Sequence, residues 1–397
     1  MRKLVCLLIL LNTLVAKAQG RATTDTIRFE GLKFYVQEAS EWTQLLNRQS
    51  GWFGADGIYS IPLNGKEHRQ VSKTDKTLFI FSDTMVGEIK KGELQPGFTM
   101  VHNSAAVLTG NHPVKSNLNF YWKKDTKHQP LSLFVPHTPQ TEPADYFWLG
   151  DGFVNLDQKG ALYLFGYRVH NVSEDAFGFR EVGNVLIKLN KNHVPRFTKQ
   201  RQEDTPFYLS GKNIEVGSFG AAIYVNTKSS GAVDPDGYIY VYGVQGMAKK
   251  LLVARVEANA FDNFSQWRFW DGNNWVADIR EGKEITHSVS NEMSVSRLPD
   301  GRYALIFQVG GMTPYIGMRI GKSLTGPFSD VIHIWDCNPD LLKPSYLVYN
   351  AKAHPALSKP GELLISYNIN SAEFIKDLKS YPNLYRPRFI KLRFLND

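Results

Sequence analysis

The stretch Asp234-Pro-Asp-Gly-Tyr-Ile-Tyr-Val-Tyr242 joins a turn to a strand and decides the fold. Pro and Gly in its first half are typical of a hairpin connection. Its second half, residues 238–242, is a continuous run of aromatic and β-branched residues, which is typical of a strand buried on both faces. We therefore predict a β-hairpin whose second strand lies inside the core.

The same pattern of a turn followed by an apolar strand occurs five times, so an internal repeat organises the chain. The five apolar strands cover residues 77–81, 161–165, 238–242, 303–307 and 362–366. Turns that contain Gly precede four of them, and a longer polar loop, residues 64–76, precedes the first. The copies lie about 60 to 85 residues apart, a spacing too long for the usual solenoid units.

Flanking strands complete each copy as a sheet. First strands are predicted at residues 58–63, 153–156, 222–225, 293–298 and 356–357, and third strands at 104–108, 184–189, 251–256, 316–320 and 388–394. Fourth strands are predicted at residues 119–122, 206–209, 267–270 and 331–335, and residues 26–36 could complete the fifth copy. The pattern predicts an all-β fold, a single five-bladed β-propeller with about four antiparallel strands per blade and a ring closed by an N-terminal strand.

The N-terminus has the pattern of a secretory signal peptide. Arg2 and Lys3 precede an apolar run over residues 4–15, and Ala16-Lys-Ala18 has the small-x-small form of a cleavage signal. The apolar run is shorter than the roughly 20 residues that a membrane-spanning helix needs. We therefore predict a signal peptide over residues 1–18, a mature propeller domain over residues 19–397, and a secreted or periplasmic location.

Charge and cysteine usage narrow the class of the mature protein. The net charge is +8, and it falls to +5 once Arg2, Lys3 and Lys17 leave with the signal peptide. No cluster of Lys and Arg is dense enough to indicate a nucleic-acid partner. Cys337 is alone after Cys6 is removed, so it forms neither an intramolecular disulfide nor a cysteine-based metal site. We expect a monomer with no membrane span.

Polar residues collect where first strands are expected to begin and second strands to end, which is one face of the ring. The residues of the first group are Asp56, Asp151, Ser218, Glu292 and His354, and those of the second are Asp83, Arg168, Gln245, Gln308 and Asn368. Asp151 and Glu292 each lie nine residues before a turn glycine, so they occupy equivalent points of their blades. Carboxylates brought together in this way take different pKa values, which glycoside hydrolysis requires.

Each of these residues also has a structural explanation. Asp56 and Asp151 precede glycines, and an Asp in that context is often a turn residue. His354 could be a buried histidine hydrogen-bonded within the core, and Arg168 could pair with an aspartate. Trp148, beside Gly-Asp-Gly, could belong to the core or stack on a sugar ring.

The sequence resembles the five-bladed propeller glycoside hydrolases of the arabinanase, xylosidase and fructosidase superfamily. Sites in that superfamily use an Asp on the first blade, a second Asp that tunes or orients, and a Glu acid on a later blade, and Asp56, Asp151 and Glu292 match that order. The segment Gly321-Lys-Ser-Leu-Thr-Gly-Pro-Phe328 resembles a segment that recurs in the outer blades of these enzymes.

A closer resemblance is to a less characterised bacterial propeller family that includes endo-D-arabinanases. The matching segments are Gly54-Ala-Asp-Gly57, Tyr59-Ser-Ile-Pro62, Phe81-Ser-Asp-Thr84, His102-Asn-Ser104, Trp148-Leu-Gly-Asp-Gly152, Val253-Ala-Arg255 and residues 350–370. Together they span most of the mature chain.

These resemblances imply hydrolysis of a glycosidic bond in an oligosaccharide or polysaccharide, with an arabinan-like or other furanoside glycan as the expected substrate. They imply Glu292 as general acid, Asp56 as base or nucleophile, and Asp151 as the residue that tunes or orients. The residues expected to bind the sugar are Asp83, Asn103, Trp148, Arg168, His354, Asn368 and Asn370.

No cofactor is required for this chemistry and no metal ligands are predicted, although an ion could lie in the channel. A non-catalytic carbohydrate-binding propeller is the main alternative. A glycoside phosphorylase is a weaker one, because Arg168 is the one cation expected at the mouth.

Overall fold

The computed structural model describes residues 22–173 and 178–395. Within these residues the chain forms 29 β-strands and two short α-helices, which confirms the prediction of an all-β fold. Neither helix in these two ranges has the length and apolar character needed to cross a lipid bilayer. The predicted signal peptide, residues 1–18, lies outside the described residues.

The described chain begins with a hairpin of β1 (Ala22–Phe29) and β2 (Leu32–Glu38), followed by the helix α1 (Ser40–Leu45). The sequence predicted one strand over residues 26–36. The structure instead divides this segment at Glu30 and Gly31, whose φ angles of 43° and 84° reverse the chain.

The next ten strands form sheet I and two small sheets beside it. They are β3 (Ser50–Ala55), β4 (Tyr59–Pro62), β5 (Lys76–Phe81), β6 (Thr84–Lys90), β7 (Glu93–Leu94), β8 (Thr99–Val101), β9 (Ser104–Thr109), β10 (Leu118–Tyr121), β11 (Lys123–Lys124) and β12 (Pro130–Leu131). Sheet I has the order β4-β5-β9-β10. Strand β6 pairs with β3, β7 and β8, and β11 pairs with β12.

Sheets II, III and IV repeat the antiparallel order along the chain. Sheet II contains β13 (Tyr146–Asn155), β14 (Ala161–Asn171), β15 (Phe179–Asn190) and β16 (Arg201–Asp204). Sheet III contains β17 (Tyr208–Leu209), β18 (Gly217–Asn226), β19 (Tyr238–Gln245), β20 (Lys250–Glu257), β21 (Arg268–Trp270) and β22 (Trp275–Val276). Sheet IV contains β23 (Met293–Arg297), β24 (Tyr303–Gln308), β25 (Tyr315–Gly321) and β26 (Ile332–Asp336).

Sheet V joins the two ends of the described chain. It contains β27 (Tyr346–Ala353), β28 (Glu362–Ser371) and β29 (Arg388–Phe394), with the helix α2 (Phe374–Ser380) between the last two strands. Its order is β27-β28-β29-β2-β1, so the N-terminal hairpin pairs with the C-terminal strand.

Two predicted strands are wrong. Residues 206–209 were predicted as the fourth strand of the second copy, but β17 pairs with β18 of sheet III, and β16 is the fourth strand of sheet II. Residues 356–357 were predicted as the first strand of the fifth copy, but they lie in a single 3₁₀ turn, Pro355–Leu357, after β27. Strand β27 contains a charged residue, Lys352, so its sequence is not a continuous apolar run and the strand was not predicted.

The strands β4, β13, β18, β23 and β27 pack side by side in that order, and the core lies between the sheets that they begin. Five clusters of buried apolar side chains are found among the described residues, each between two neighbouring sheets. One of them joins Phe79 of sheet I to Phe389 of sheet V, with Trp42 of α1 beside them. The first and last sheets therefore share a core as the other neighbours do.

We expect the Phe34→Ala substitution to lower the free energy of unfolding by about 3–5 kcal/mol, because Phe34 of β2 is fully buried and removing its ring leaves a cavity. Its ring lies 6.2 Å from that of Phe394, its partner on β29. Urea unfolding followed by circular dichroism measures the effect. Met247→Ala, at a side chain with 95% exposure, is the control and should change stability by less than about 0.5 kcal/mol. Equal stability of both variants would contradict the pairing of β2 with β29.

Candidate active site

Three of the strands at the centre of the molecule contain a break in register. The breaks lie between Leu149 and Gly152 of β13, between Phe219 and Ala222 of β18, and between Tyr349 and Lys352 of β27. Such a bulge changes the face to which the following side chains point. Asp151 lies within the first of these breaks, and Lys352 lies directly after the third.

Asp151 lies inside the bulge of β13, and not before the strand as the sequence predicted. Its carboxylate accepts hydrogen bonds from the backbone N–H of Gly152, at 2.8 Å, and of Ile223 in sheet III, at 2.7 Å. Burial raises the pKa of Asp151 to about 7, against the lowering effect of these two bonds. A Cβ at Gly152 would come within 2.5 Å of the carbonyl oxygen of Tyr163, so the bulge requires glycine there.

Glu292, which directly precedes β23, forms an ion pair with Lys352 of β27. The Lys352 side chain is 1% exposed and that of Glu292 is 12% exposed. The Lys352 ammonium also lies 4.3 Å from the centre of the Tyr59 ring, a cation–π contact. Burial raises the pKa of Glu292, and Lys352 opposes this by favouring the charged carboxylate.

Asp56, between β3 and β4, receives a hydrogen bond of 2.7 Å from the Tyr349 hydroxyl. The side-chain amide of Asn370 donates in turn to that hydroxyl, at 3.3 Å. Burial and the nearby negative charge of Asp83 raise the pKa of Asp56 to about 8, and Glu292 adds to the effect. Asp56, Asp83, Asp151 and Glu292 therefore form one carboxylate cluster.

A row of rings leads away from the carboxylate cluster. Asp83 bonds to Nδ1 of His102 at 3.0 Å, and the His102 ring stacks on Tyr146 with their centres 3.7 Å apart. Tyr146 contacts Trp148 edge to face, and Trp148 contacts Phe179 in the same way. His102, Trp148 and Phe179 are each partly exposed, so sugar rings could reach this aromatic row.

Two further acids were missed by the sequence analysis. Burial raises the pKa of Glu181 in β15 to about 8. Glu67, in the long polar loop of residues 64–76, has a pKa raised by burial and by the charge of Asp151. The length of that loop was the available signal for Glu67, and nothing in the local sequence marked Glu181.

A cavity of about 480 Å³ lies next to the carboxylate cluster. It is lined by Asp151, Lys352 and Tyr59 but not by Asp56, Asp83 or Glu292. In residues 22–173 and 178–395, no three His, Cys, Asp or Glu side chains are grouped so that they could hold a metal ion.

The side chains of four residues predicted to bind substrate form hydrogen bonds within the protein instead. They are Asn103, Arg168, His354 and Asn368, each at most 3% exposed. Asn103 bonds to the backbone of Phe134, and Asn368 donates to the carbonyl of Ala55. These bonds hold the strands in place and leave little surface for a sugar.

His354 lies after β27, at a position where the sequence predicted the residue before a first strand. Its two ring nitrogens bond to the hydroxyls of Ser60 and Ser366, each at 2.8 Å. Burial lowers the pKa of His354 to about 3, so the ring is neutral.

Arg168 extends away from the carboxylate cluster. Its guanidinium lies 3.7 Å from Asp145 and 3.9 Å from Asp204, and it donates to the carbonyl of Val182. The structural alternative considered for Arg168 in the sequence analysis, pairing with an aspartate, is therefore present.

We expect Arg168→Met to lower the free energy of unfolding by about 3 kcal/mol, because it removes the guanidinium that faces the buried carboxylate of Asp145, which keeps His170 as a partner, and the partly buried carboxylate of Asp204. Chemical denaturation measures the change. Arg201→Met, at a side chain with 71% exposure in β16, is the control. A loss of glycan affinity without loss of stability would show that Arg168 binds substrate instead.

The raised pKa of Asp56 predicts a pH-dependent stability. Asp56 keeps its proton up to about pH 8 in the folded chain, where its pKa is raised, whereas the unfolded chain releases this proton near the ordinary aspartate pKa of 3.8. Wild-type stability should therefore fall relative to Asp56→Asn as the pH rises from about 4 to 8, by at most about 1.4 kcal/mol per unit, the limit for one proton. Urea unfolding at a series of pH values measures the gap, and a gap that stays constant would contradict the assignment.

Comparison with solved structures identifies similar chains of low sequence identity. A Bacteroides ovatus protein, described provisionally as a hydrolase, matches with a TM-score of 0.69 and 20% identity over 94% of this chain and 93% of its own. This similarity shows a shared fold.

Two weaker matches are enzymes that act on sugars or were solved with them. A Xanthomonas citri GH43_1 enzyme complexed with xylose has a TM-score of 0.41 and 14% identity, over 90% of this chain and 94% of its own. A Phanerochaete chrysosporium exo-β-1,3-galactanase has a TM-score of 0.44 and 11% identity, over 85% of this chain and 60% of its own.

No curated protein matches the sequence. One family model does, over residues 39–394, which is most of the chain. The chain therefore belongs to the family described as Domain of unknown function (DUF5005).

Proposed function

We propose that the five sheets are the blades of one closed five-bladed β-propeller and that the carboxylate cluster lies at the mouth of its channel. The buried core shared by sheets V and I supports closure. So do hydrogen bonds between these two sheets and the turns beside them, from Asn368 to Ala55, from Tyr349 to Asp56, and between Ser60 and His354. Closure would also leave few strand edges open to other chains.

We propose that the protein is a glycoside hydrolase. The observation that carries the proposal is the contrast between two carboxyl groups of one site. Glu292 faces a buried ammonium, and Asp56 faces a tyrosine hydroxyl and another carboxylate. Such environments keep one carboxyl ionised and another protonated, and hydrolysis of a glycosidic bond needs one of each. The description of the similar Bacteroides ovatus protein as a hydrolase agrees with this function.

The catalytic set is Asp56, Asp151 and Glu292. The carboxylate of Asp151 is fixed in place by two backbone N–H groups. Asp151 is therefore suited to orient Asp56 and Glu292 or to tune their pKa values. Asp83 and Asn370 remain partly exposed next to this set and are suited to bind sugar hydroxyls, as is Trp148 in the aromatic row. The chemistry needs no cofactor.

The charge of the site favours a neutral glycan as substrate. Lys352 is already paired with Glu292, and Arg168 is directed elsewhere, so these two cations are not free to hold an anionic group. This disfavours a phosphorylase, which needs a cationic pocket for phosphate. An arabinan-like or other furanoside polysaccharide remains the proposed substrate, on the sequence resemblance.

The aromatic row also fits the second candidate function, a carbohydrate-binding propeller without activity. Stacked rings beside a carboxylate bind sugars in either case. The two functions differ in their need for the carboxylate pair. We also propose that the protein acts outside the cytoplasm, as a secreted or periplasmic enzyme, on the signal-peptide pattern of residues 1–18.

The test is sugar release from a panel of furanose and pyranose polysaccharides, read as new reducing ends. Because an acid or base contributes about 10²- to 10⁴-fold to rate, we expect Glu292→Gln and Asp56→Asn each to lose at least about 100-fold in kcat. Glu203→Gln, at a half-exposed side chain in β16, is the matched control and should keep full activity. If the wild type and both variants bind glycan but none of them releases sugar, the protein is a carbohydrate-binding propeller and not a hydrolase.

A further inference from the structure

Lys352 is a charged side chain that the mechanism above leaves without a role. It lies in β27 directly after the break in register and is almost completely buried. A buried ammonium costs several kcal/mol unless it is paired, and a lysine at this place would not be expected for stability alone. Its position between sheets IV and V, against Glu292, indicates a function in the site.

The groups that face Glu292 come from three other sheets, I, II and V, and from Asp56 in the turn between β3 and β4. Lys352 lies on β27, Asp151 on β13, Tyr59 on β4 and Tyr167 on β14, and Glu292 itself precedes β23. Of these neighbours Lys352 alone is a cation, and it touches the carboxylate directly. The Tyr59 hydroxyl, which could otherwise donate a proton to a neighbour, is committed to the carbonyl of Ala221 at 2.9 Å.

Asp56 has the opposite surroundings. The groups that face it are Asp83, Glu292, Tyr349 and Tyr385, of which two are acids and two are hydroxyls. No cation contacts its carboxyl among the described residues. A carboxyl group that lies between acids and is largely shielded from water favours its protonated form.

We propose that Lys352 is a positioning residue that holds Glu292 in the ionised state and so leaves Asp56 as the proton donor. This deepens the proposed glycoside hydrolysis and rests on it. It also reverses the roles implied by sequence resemblance, which made Glu292 the acid and Asp56 the base or nucleophile.

The reaction then balances as follows. Asp56 gives its proton to the glycosidic oxygen while the bond between that oxygen and the anomeric carbon breaks. Glu292 takes a proton from a water molecule whose oxygen bonds to the anomeric carbon. One water is consumed, and transfer of the proton from Glu292 back to Asp56 through solvent restores the starting state.

The first test needs no substrate. Infrared difference spectra at pH 6.5 report which carboxyl groups are protonated, through the C=O stretch of the neutral acid. We expect Asp56→Asn to remove such a band and Glu292→Gln to remove none. Lys352→Met should add one band, because Glu292 loses its counter-ion and takes up a proton. The double variant K352M/E292Q should lack the added band, and it avoids the unpaired buried charge if K352M alone folds poorly.

Two results would overturn the proposal. One is loss of a protonated-carboxyl band in E292Q while the Asp151 band, assigned by its absence in Asp151→Asn, is retained, which would make Glu292 the acid. The other is the absence of a new band in folded K352M.

The second test uses any glycan that the wild type cleaves. We expect K352M to lower kcat about 100-fold with KM changed by less than about 3-fold, and to move the acidic limb of the pH–rate profile upward by at least one unit. Lys352→Arg, which keeps the charge, should restore part of kcat and the position of that limb. A K352M enzyme with an unchanged pH profile would reduce Lys352 to a structural role.

The two tests separate the two proposals. The expected infrared result without cleavage of any glycan would retain the charge assignment and reject the hydrolase. Cleavage that requires Glu292, combined with loss of a band in E292Q, would retain the hydrolase and reject the role of Lys352.

Discussion

The ion pair between Lys352 and Glu292 is the interaction on which the rest of the site depends. Four carboxyl groups lie close together with one buried ammonium, so they cannot all be ionised at neutral pH. The cation contacts Glu292 and favours the charged form of that carboxyl. Asp56 instead accepts a hydrogen bond from Tyr349, and Asp151 accepts two from backbone N–H groups.

The same contacts that define the site also join neighbouring sheets. Asp151 of sheet II bonds to the backbone of Ile223 in sheet III, and Lys352 of sheet V pairs with Glu292 at the start of sheet IV. Tyr349 of sheet V bonds to Asp56 beside sheet I. Because each of these contacts crosses from one sheet to another, the environments of Asp151, Glu292 and Asp56 depend on how neighbouring sheets are placed. The apolar clusters between the sheets therefore support the chemistry as well as the fold.

The strands that are apolar on both faces could be predicted from the sequence, whereas a strand that carries a charged side chain into the core was missed. All five apolar second strands are present, because a run such as residues 238–242 has no other stable placement. Strand β27 was missed since it carries Lys352 inside the core, and its partner Glu292 lies 60 residues away. Asp56, Asp151 and Glu292 do come together, but Asn103 and His354 turn to bond with the protein, which spacing along a strand does not reveal.

The breaks in register explain why the site was harder to predict than the fold. Side chains alternate between the two faces of a strand, and a bulge reverses that alternation for every residue beyond it. Strands β13, β18 and β27 each contain such a break, close to Asp151, Phe219 and Lys352. Simple alternation would assign these side chains to the wrong face. Local rules fail most often where a protein places its chemistry, because charged groups have to be brought into an interior that the regular pattern would reserve for apolar ones.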